Sequence, residues 1–539
     1  MRSRLLRLSR LLAVPEGDDL VFLTQPLHKG RREKAKATAI VCGGTSLDFA
    51  TFTDRVARLA TVLKQLGMAS GDRVGMLSLN SHRFVEYFFG TWWGGGVINP
   101  VNIRWNPKEV AYSLDDCDTR ILLVDDLFVP MVPALRQLSA SLRTVVYCGE
   151  GAVPEGMVGY EALLAKAEPA EDVPHGTDEL AAIMYTGGTT GQPKGVMLTH
   201  GSLCINALST VAALPRDAQH AVSLVAAPMF HVAGCGASIQ NMLRLMPMHV
   251  LPMFDELAVL QAVQSARITE MFMVPTMIKR VIEHPRFDGF DLSSLQLLFY
   301  GAAPIDAALL DQAMRAIPKA SFAQVYGMTE LSPVVTALAP HCHLPGPDRD
   351  RLLRSAGTPV PIAEVRIVDG EDRELPPGQV GEIVARGPMV MKGYWNKPEQ
   401  TEAALRGGWM HTGDGGYMDD QGFVFVVDRM KDMIVSGGEN VYSAEVENAI
   451  AQMPQVLMSA VIGIPDDKWG ERVHAVIVRR EGMVLEAEAV IAHCREHIAS
   501  YKCPRSVEFR DALPLSAAGK LQKFQLREPF WAGRERRVG

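Results

Sequence analysis

One run concentrates the chemistry of the chain: Tyr185, Thr186, Gly187, Gly188, Thr189, Thr190, Gly191, Gln192, Pro193, Lys194 and Gly195. Glycines let backbone N–H groups turn toward an anion, threonine hydroxyls add donors, and Lys194 supplies a point charge, so the run suits a chain of phosphates. A plain glycine-rich hairpin needs neither the hydroxyls nor the lysine. Nor is this a Walker loop, whose spacing puts Gly at 192 and Lys at 193, where Gln192 and Pro193 stand, with Gly195 in place of Ser or Thr. Apolar residues at 181–184 and an extended pattern at 196–198 predict that the loop joins two strands, with a helix opening near Gly201 and Ser202. No G-x-S-x-G, H-E-x-x-H or C-x-x-C is present, so serine-hydrolase, zincin and thioredoxin chemistry have no local support. His341-Cys342-His343 offers alternating ligands without further partners, a poor tetrahedral site, and is expected to be surface loop.

With its continuation to 200, YTGGTTGQPKGVMLTH, the run resembles the nucleotide-phosphate signature of the adenylate-forming superfamily: acyl-CoA synthetases, firefly-type luciferases and peptide-synthetase adenylation domains. Further stretches agree in order. Ala227-Pro228-Met229-Phe230-His231 resembles the family's acyl-pocket segment, residues 324–330 (QVYGMTE) its adenine and metal segment, and residues 409–416 (WMHTGDGG) its ribose segment. Residues 428–445 (DRMKDMIVSGGENVYSAE) resemble its hinge, and residues 513–520 (LPLSAAGK) the terminal loop with the catalytic lysine. The likeness runs from about residue 40 to about residue 525.

The resemblance implies an acid:CoA ligase that joins a carboxylate to AMP, releases pyrophosphate, and passes the acyl group to coenzyme A. Negative charge then gathers around the α-phosphorus of ATP, and cations must converge there. By resemblance, Thr186 to Lys194 hold the β- and γ-phosphates, Thr329 contacts the α-phosphate, and Glu330 holds Mg²⁺. Lys520 would stabilise the developing charge, Tyr326 beside Gly327 would stack on adenine, and Asp414 would accept from both ribose hydroxyls. Arg429 stands where the family contacts ribose, Lys431 at the hinge, and Gly437-Gly438-Glu439 along the pantetheine channel. One active site must present a lysine to ATP and then admit a thiol, which a rotating lid on a charged linker can do.

Small residues at 232–236 and at Gly301, Ala302 and Ala303, the last three counted with the nucleotide-binding positions, predict an apolar and not shallow acyl cavity. A medium or long fatty acid, or an aryl acid, fits. His231 stands near where amino-acid adenylation domains carry an aspartate, which argues against an amino-acid substrate. His231 either gates the acyl or pantetheine tunnel or is a satisfied core histidine. Gly43-Gly44-Thr45-Ser46-Leu47 imitates a phosphopantetheine attachment site, but the flanking strand-like residues predict a hairpin turn, so free CoA is the simpler acceptor. A stand-alone enzyme loading a carrier protein, a luciferase-like oxygenase and a non-catalytic nucleotide binder remain alternatives.

The elements that must position these groups are legible as alternation. Periodicity predicts a helix from Phe52 to a stop at Gly67, a strand at 73–77, a helix at 82–93, a helix from Pro107 to about Cys117, and a buried strand at 120–125. Residues 149–176 read as a surface connection. From 362 to 427 short runs between turn clusters predict a strand-rich subdomain, and after Asp428 the order helix, strand, strand, helix forms a compact α+β unit. The expected fold is α/β with several subdomains: a large N-terminal AMP-binding domain over 1–428, and a small mobile α+β lid over 429–539 hinged at 428–431.

The 539 residues, 47% hydrophobic, can bury several cores. Fifty-four basic against 61 acidic residues give a net charge of −7, which excludes a whole-molecule basic field for nucleic acid. The expected partners are a small carboxylic acid, ATP and CoA, with homodimerisation open. Eight scattered cysteines favour a reducing, cytoplasmic setting. The arginines and leucines of residues 1–12 do not separate onto two faces, so a frayed terminus is expected over a targeting helix. Windows 84–103 and 221–239 are apolar but broken by Gly94-Gly95-Gly96 and by Pro228, Gly234 and Gly236, so no transmembrane segment is expected.

Overall fold

The computed structural model describes residues 23–186, 193–214, 220–305, 307–430, 432–436, 439–515 and 521–532. The arginine-rich start of the chain lies outside them.

An eight-stranded sheet runs in the order Gly393–Tyr394, Lys194–Thr199, Leu180–Thr186, Val97–Pro100, Arg73–Leu77, Ile121–Val124, Thr144–Tyr147, Val158–Gly159. From Leu180–Thr186 onward its neighbours are parallel, whereas Lys194–Thr199 returns antiparallel. A nine-stranded sheet has parallel neighbours from Ser321–Gly327 through Leu297–Gly301, Glu270–Met273, Ser223–Val225 and Met248–Val250 to Thr38–Cys42, with antiparallel strands at both edges. Parallel strands covered by helices on both faces read as continuous apolar runs, as in Ile121–Val124, every residue of which is buried.

The helix His82–Trp93 shows why an apolar window need not span a membrane. Ser81 caps it by accepting from the Phe84 N–H, and all twelve residues are buried. A helix whose apolar residues face every side belongs inside a core, where its few polar groups need partners. Its one acid, Glu86, is neutralised by Arg55 at 2.6 Å and accepts the Tyr160 hydroxyl at 2.6 Å. Gly95, at φ +90°, then turns the chain into the strand Val97–Pro100. Among the described residues no helix is long and apolar enough to cross a membrane.

Thr38–Cys42 and Thr45–Asp48 form the expected hairpin, with Gly43 at φ +56° in its turn. Two expectations need correction. The connection at 149–176 carries the helix Tyr160–Lys166, held down because fully buried Tyr160 reaches Glu86. His341-Cys342-His343 is not surface loop either: it lies in a 3₁₀ turn with Cys342 and His343 buried, and His343 bonds the Tyr300 hydroxyl at 2.9 Å and the Ala339 carbonyl at 3.2 Å.

The strand-rich region supplies a four-stranded antiparallel sheet, Glu364–Val368, Gly381–Arg386, Met410–Met418, Val424–Arg429. Its strand Gly393–Tyr394 departs, pairing with Val196 and Met197 at the edge of the eight-stranded sheet. The small C-terminal domain has a five-stranded sheet built on the long pair Val456–Asp466 and Gly470–Arg479, flanked by the helices Ser443–Ala451 and Ala487–His497. It touches the large domain where Lys279 Nζ donates to the Leu457 carbonyl at 2.9 Å and where Arg480 lies 3.5 Å from Glu283.

Candidate active site

Open α/β sheets place ligand groups beyond the carboxyl ends of parallel strands. Here Leu180–Thr186 ends at the glycine- and threonine-rich loop, Leu297–Gly301 at Ala302 and Ala303, and Ser321–Gly327 at Thr329 and Glu330.

Thr186 and Lys194 face each other across the antiparallel pair, so one hairpin holds both ends of the loop. Gly187, Gly188, Thr189, Thr190 and Gly191 lie outside the described residues. The base of the hairpin is fixed by Tyr185, which donates to Asp116 Oδ2 at 2.7 Å, and by Trp395, whose N–H donates to the Gly195 carbonyl at 2.7 Å and whose indole donates to the Asp116 carbonyl at 2.8 Å. Burial, then the nearby Cys117 and Asp116, raise the Tyr185 pKa, so the phenol stays a donor.

Thr329, Glu330 and Leu331 form a buried 3₁₀ turn. Glu330 Oε1 accepts the Tyr394 hydroxyl at 2.9 Å, and the Lys194 ammonium sits 4.8 Å from the centre of the same ring. Tyr394 thus spaces the loop lysine from the buried carboxylate, touching one with its face and the other with its hydroxyl. Glu330 Oε2 has no hydrogen bond among the described residues. A buried carboxylate with one oxygen engaged and one available, near Lys194, fits a hard oxygen-seeking cation.

Three residues far apart in the chain meet at the next point. Tyr326 donates to Asp414 Oδ2 at 2.8 Å, and Arg429 Nε lies 2.7 Å from Asp414 Oδ1. Asp414 and Arg429 are register partners on adjacent strands. The side chain of Asp414 is 9% exposed and that of Arg429 43%, so the carboxylate is held inside while the guanidinium borders solvent. Burial and the Asp414 charge keep the Tyr326 phenol protonated.

Close packing fixes the backbone around them. A Cβ on Gly327, at φ +158°, would lie 1.9 Å from the Pro333 carbonyl, and one on Gly301 would lie 2.1 Å from that of Val325. Ala302 holds φ +64°, which costs a side-chain-bearing residue about 1–2 kcal/mol. Such strain persists where surroundings over-determine it.

His231 caps the helix Val232–Leu243, its Nδ1 accepting the Ala233 N–H at 3.4 Å. The small residues after it are spent differently from expectation. A Cβ on Gly234 would lie 2.6 Å from Met229 Cα, Gly236 packs on Pro333, and Cys235 is fully buried, so Ala233 and, four positions on along the same face, Ala237 are the small residues left half-buried.

Glu439 is exposed and pairs with Ser436 across a short hairpin. Lys431, Gly437, Gly438 and Lys520 lie outside the described residues. Sequence reasoning missed Tyr394, Asp116 and Trp395, which no spacing rule marks.

A hairpin carrying the glycine- and threonine-rich loop, a buried carboxylate beside its lysine and an aromatic-acid-arginine cluster fit an adenylate-forming enzyme. The AMP-binding enzyme family matches residues 27–395 and the AMP-binding enzyme C-terminal domain matches residues 445–520. A feruloyl-CoA synthase of Amycolatopsis sp is 40% identical over 94% of this chain and 98% of its own. A fatty acid–[acyl-carrier-protein] ligase of Streptomyces coeruleorubidus is 35% identical over 96% of this chain and 98% of its own. The crystal structure of an anthranilate CoA ligase with anthranoyl-AMP superposes with a TM-score of 0.89 at 28% identity, covering 96% of this chain and 98% of that one. The chain belongs to the AMP-binding enzyme family and is an adenylate-forming acid:CoA ligase.

Proposed function

We propose that this ligase activates an aryl or arylalkenoic acid. The reading starts from Ala233 and Ala237, small and half-buried on one face of the helix that follows the segment resembling the family's acyl pocket, where small side chains leave room for a flat ring. The likeness to a feruloyl-CoA synthase supports it.

In the first half-reaction a carboxylate oxygen of the acid bonds to the α-phosphorus of ATP and pyrophosphate leaves. Thr186, the 187–191 segment and Lys194 bind the departing phosphates, with Lys194 steadied over Tyr394. Mg²⁺ at Glu330 would supply neutralising charge to phosphate oxygens. Thr329 donates to the α-phosphate, Tyr326 covers adenine, and Asp414 with Arg429 holds the ribose. Lys520 stabilises the charge that builds at the α-phosphoryl group. In the second half-reaction the CoA thiolate attacks the acyl carbonyl and AMP leaves, with Gly437, Gly438 and Glu439 lining the thiol's approach after the domain beginning near 429 rotates at Lys431. His231, which caps the helix Val232–Leu243, closes the segment that resembles the family's acyl pocket. The cysteines Cys42, Cys117, Cys148, Cys204, Cys235, Cys342, Cys494 and Cys503 are all free thiols, which supports a reducing, cytoplasmic setting.

The test is a panel of cinnamic, benzoic and C8–C16 fatty acids with ATP, Mg²⁺ and CoA, scored as AMP formed per acid. A kcat/KM for a cinnamic acid at least about tenfold above every fatty acid supports the reading. Preference for a fatty acid, or acyl transfer only to a carrier protein, contradicts it.

A further inference from the structure

The final described helix, Lys523–Trp531, starts three residues after Lys520 and grips the proposed hinge from both sides. Asp428 is buried; its Oδ2 accepts both the N–H and the hydroxyl of Ser443, and its Oδ1 accepts the Arg429 N–H at 2.8 Å. Lys523 Nζ donates to that same Ser443 hydroxyl and lies 2.8 Å from Glu447 Oε1, which also accepts the Val461 N–H at 2.7 Å. One turn further on, Arg527 donates to Asp432 Oδ1 at 2.8 Å. Lys523 and Arg527, four apart on one helical face, therefore fasten the helix to Asp428 before position 431 and to Asp432 after it.

Burial opposes the charge on Lys523, but Glu447 and Asp428 outweigh it and hold its pKa above the ordinary lysine range. Buried ion pairs are weak sources of stability, since desolvation offsets the attraction, and their clearest use is to select one arrangement. The arrangement selected here is informative. Asp428 adjoins Arg429, whose Nε is 2.7 Å from the ribose-site carboxylate of Asp414. Lys520 precedes this anchored helix by three residues in the sequence, a length of chain that spans at most about 11 Å.

We infer that Lys523 is a positioning residue for adenylation: through Ser443 and Asp428 it fastens the helix that follows Lys520 in the chain to the hinge. This rests on the role proposed for Lys520. In the full-length enzyme two steps are read separately: pyrophosphate release from acid and ATP without CoA, and thioester formation from supplied acyl-AMP and CoA. Lys523→Met lowers the first at least about tenfold and leaves the second within about threefold, and Lys523→Arg, which keeps the charge, restores the first. Ser443→Ala removes the bridging hydroxyl but not its backbone bond to Asp428, and lowers adenylation in the same direction; it decides the matter if Lys523→Met does not fold. Equal loss in both steps, or unchanged adenylation in a variant with wild-type melting, overturns the inference. Lys520→Ala separates the two ideas: if it spares adenylation the Lys520 reading fails, whereas if it abolishes adenylation while Lys523→Met does not, only the anchor fails.

Discussion

Asp414→Asn distinguishes a ribose ligand from a structural turn acid. Both carboxylate oxygens are already engaged, Oδ2 by Tyr326 at 2.8 Å and Oδ1 by Arg429 at 2.7 Å. Asparagine keeps one oxygen to accept from Tyr326 but loses the ion pair. Because the Arg429 side chain is 43% exposed, solvent screens that pair, and its loss costs about 1 kcal/mol of stability or less. The ribose hydroxyls lose a charged acceptor, and hydrogen bonds to charged groups contribute about 1.5–3 kcal/mol. At about 1.4 kcal/mol per decade this lowers kcat/KM for ATP by roughly 10- to 150-fold. The assay is pyrophosphate release against ATP concentration at saturating acid, with a thermal melt in parallel. Tyr326→Phe is the companion: it removes the phenol donor, keeps the ring, and is expected to change kcat/KM for ATP by less than about tenfold. A folded Asp414→Asn variant with kcat/KM for ATP within about threefold of wild type would refute the ribose assignment.

Lys520→Ala is expected to abolish adenylation yet leave thioester formation from supplied acyl-AMP largely intact, read by the same two half-reaction assays. Tyr394→Phe removes the hydroxyl that orients Glu330 while keeping the ring under Lys194; adenylation falls by about tenfold and the Mg²⁺ concentration for half-maximal rate rises, measured by Mg²⁺ titration. Burial pushes the His343 pKa down to about 4, with the Ala339 carbonyl only partly compensating. Its folded pKa is below the unfolded value near 6.5, so the unfolded chain binds the extra proton first and stability falls as pH drops from about 6.5 toward 4. Urea melts at pH 7 and pH 5 should show wild type losing about 2 kcal/mol more than His343→Gln; equal losses contradict the assignment.

The strand Arg73–Leu77 and the helix His82–Trp93 are legible at their observed bounds, because a tight apolar run and a Ser81 cap leave few alternatives. Tyr160–Lys166 is not, since a seven-residue helix in a Pro- and Gly-rich stretch is stabilised by Tyr160 reaching Glu86, 74 positions away. The same contrast governs the site. Tyr326, Asp414, Arg429, Lys194 and Glu330 stand in local signatures, and the structure brings the first three into one cluster and the last two onto the two sides of Tyr394. Tyr394 itself, Asp116 and Lys523 act only through long-range contacts, and no periodicity or spacing announces them. The strand Gly393–Tyr394 leaves the strand-rich region to pair with Val196 and Met197, and there its Tyr394 hydroxyl reaches Glu330.

The most direct measurement is a single turnover in two stages. Enzyme in excess is mixed with ATP, Mg²⁺ and a cinnamic acid without CoA, quenched, and analysed for the acyl adenylate; a parallel sample is chased with CoA before quenching. Acyl-AMP should form with an equal amount of pyrophosphate and convert to acyl-CoA and AMP on the chase. Thioester formation with ADP and phosphate as products, or with no adenylate at any time before CoA is added, would contradict the account.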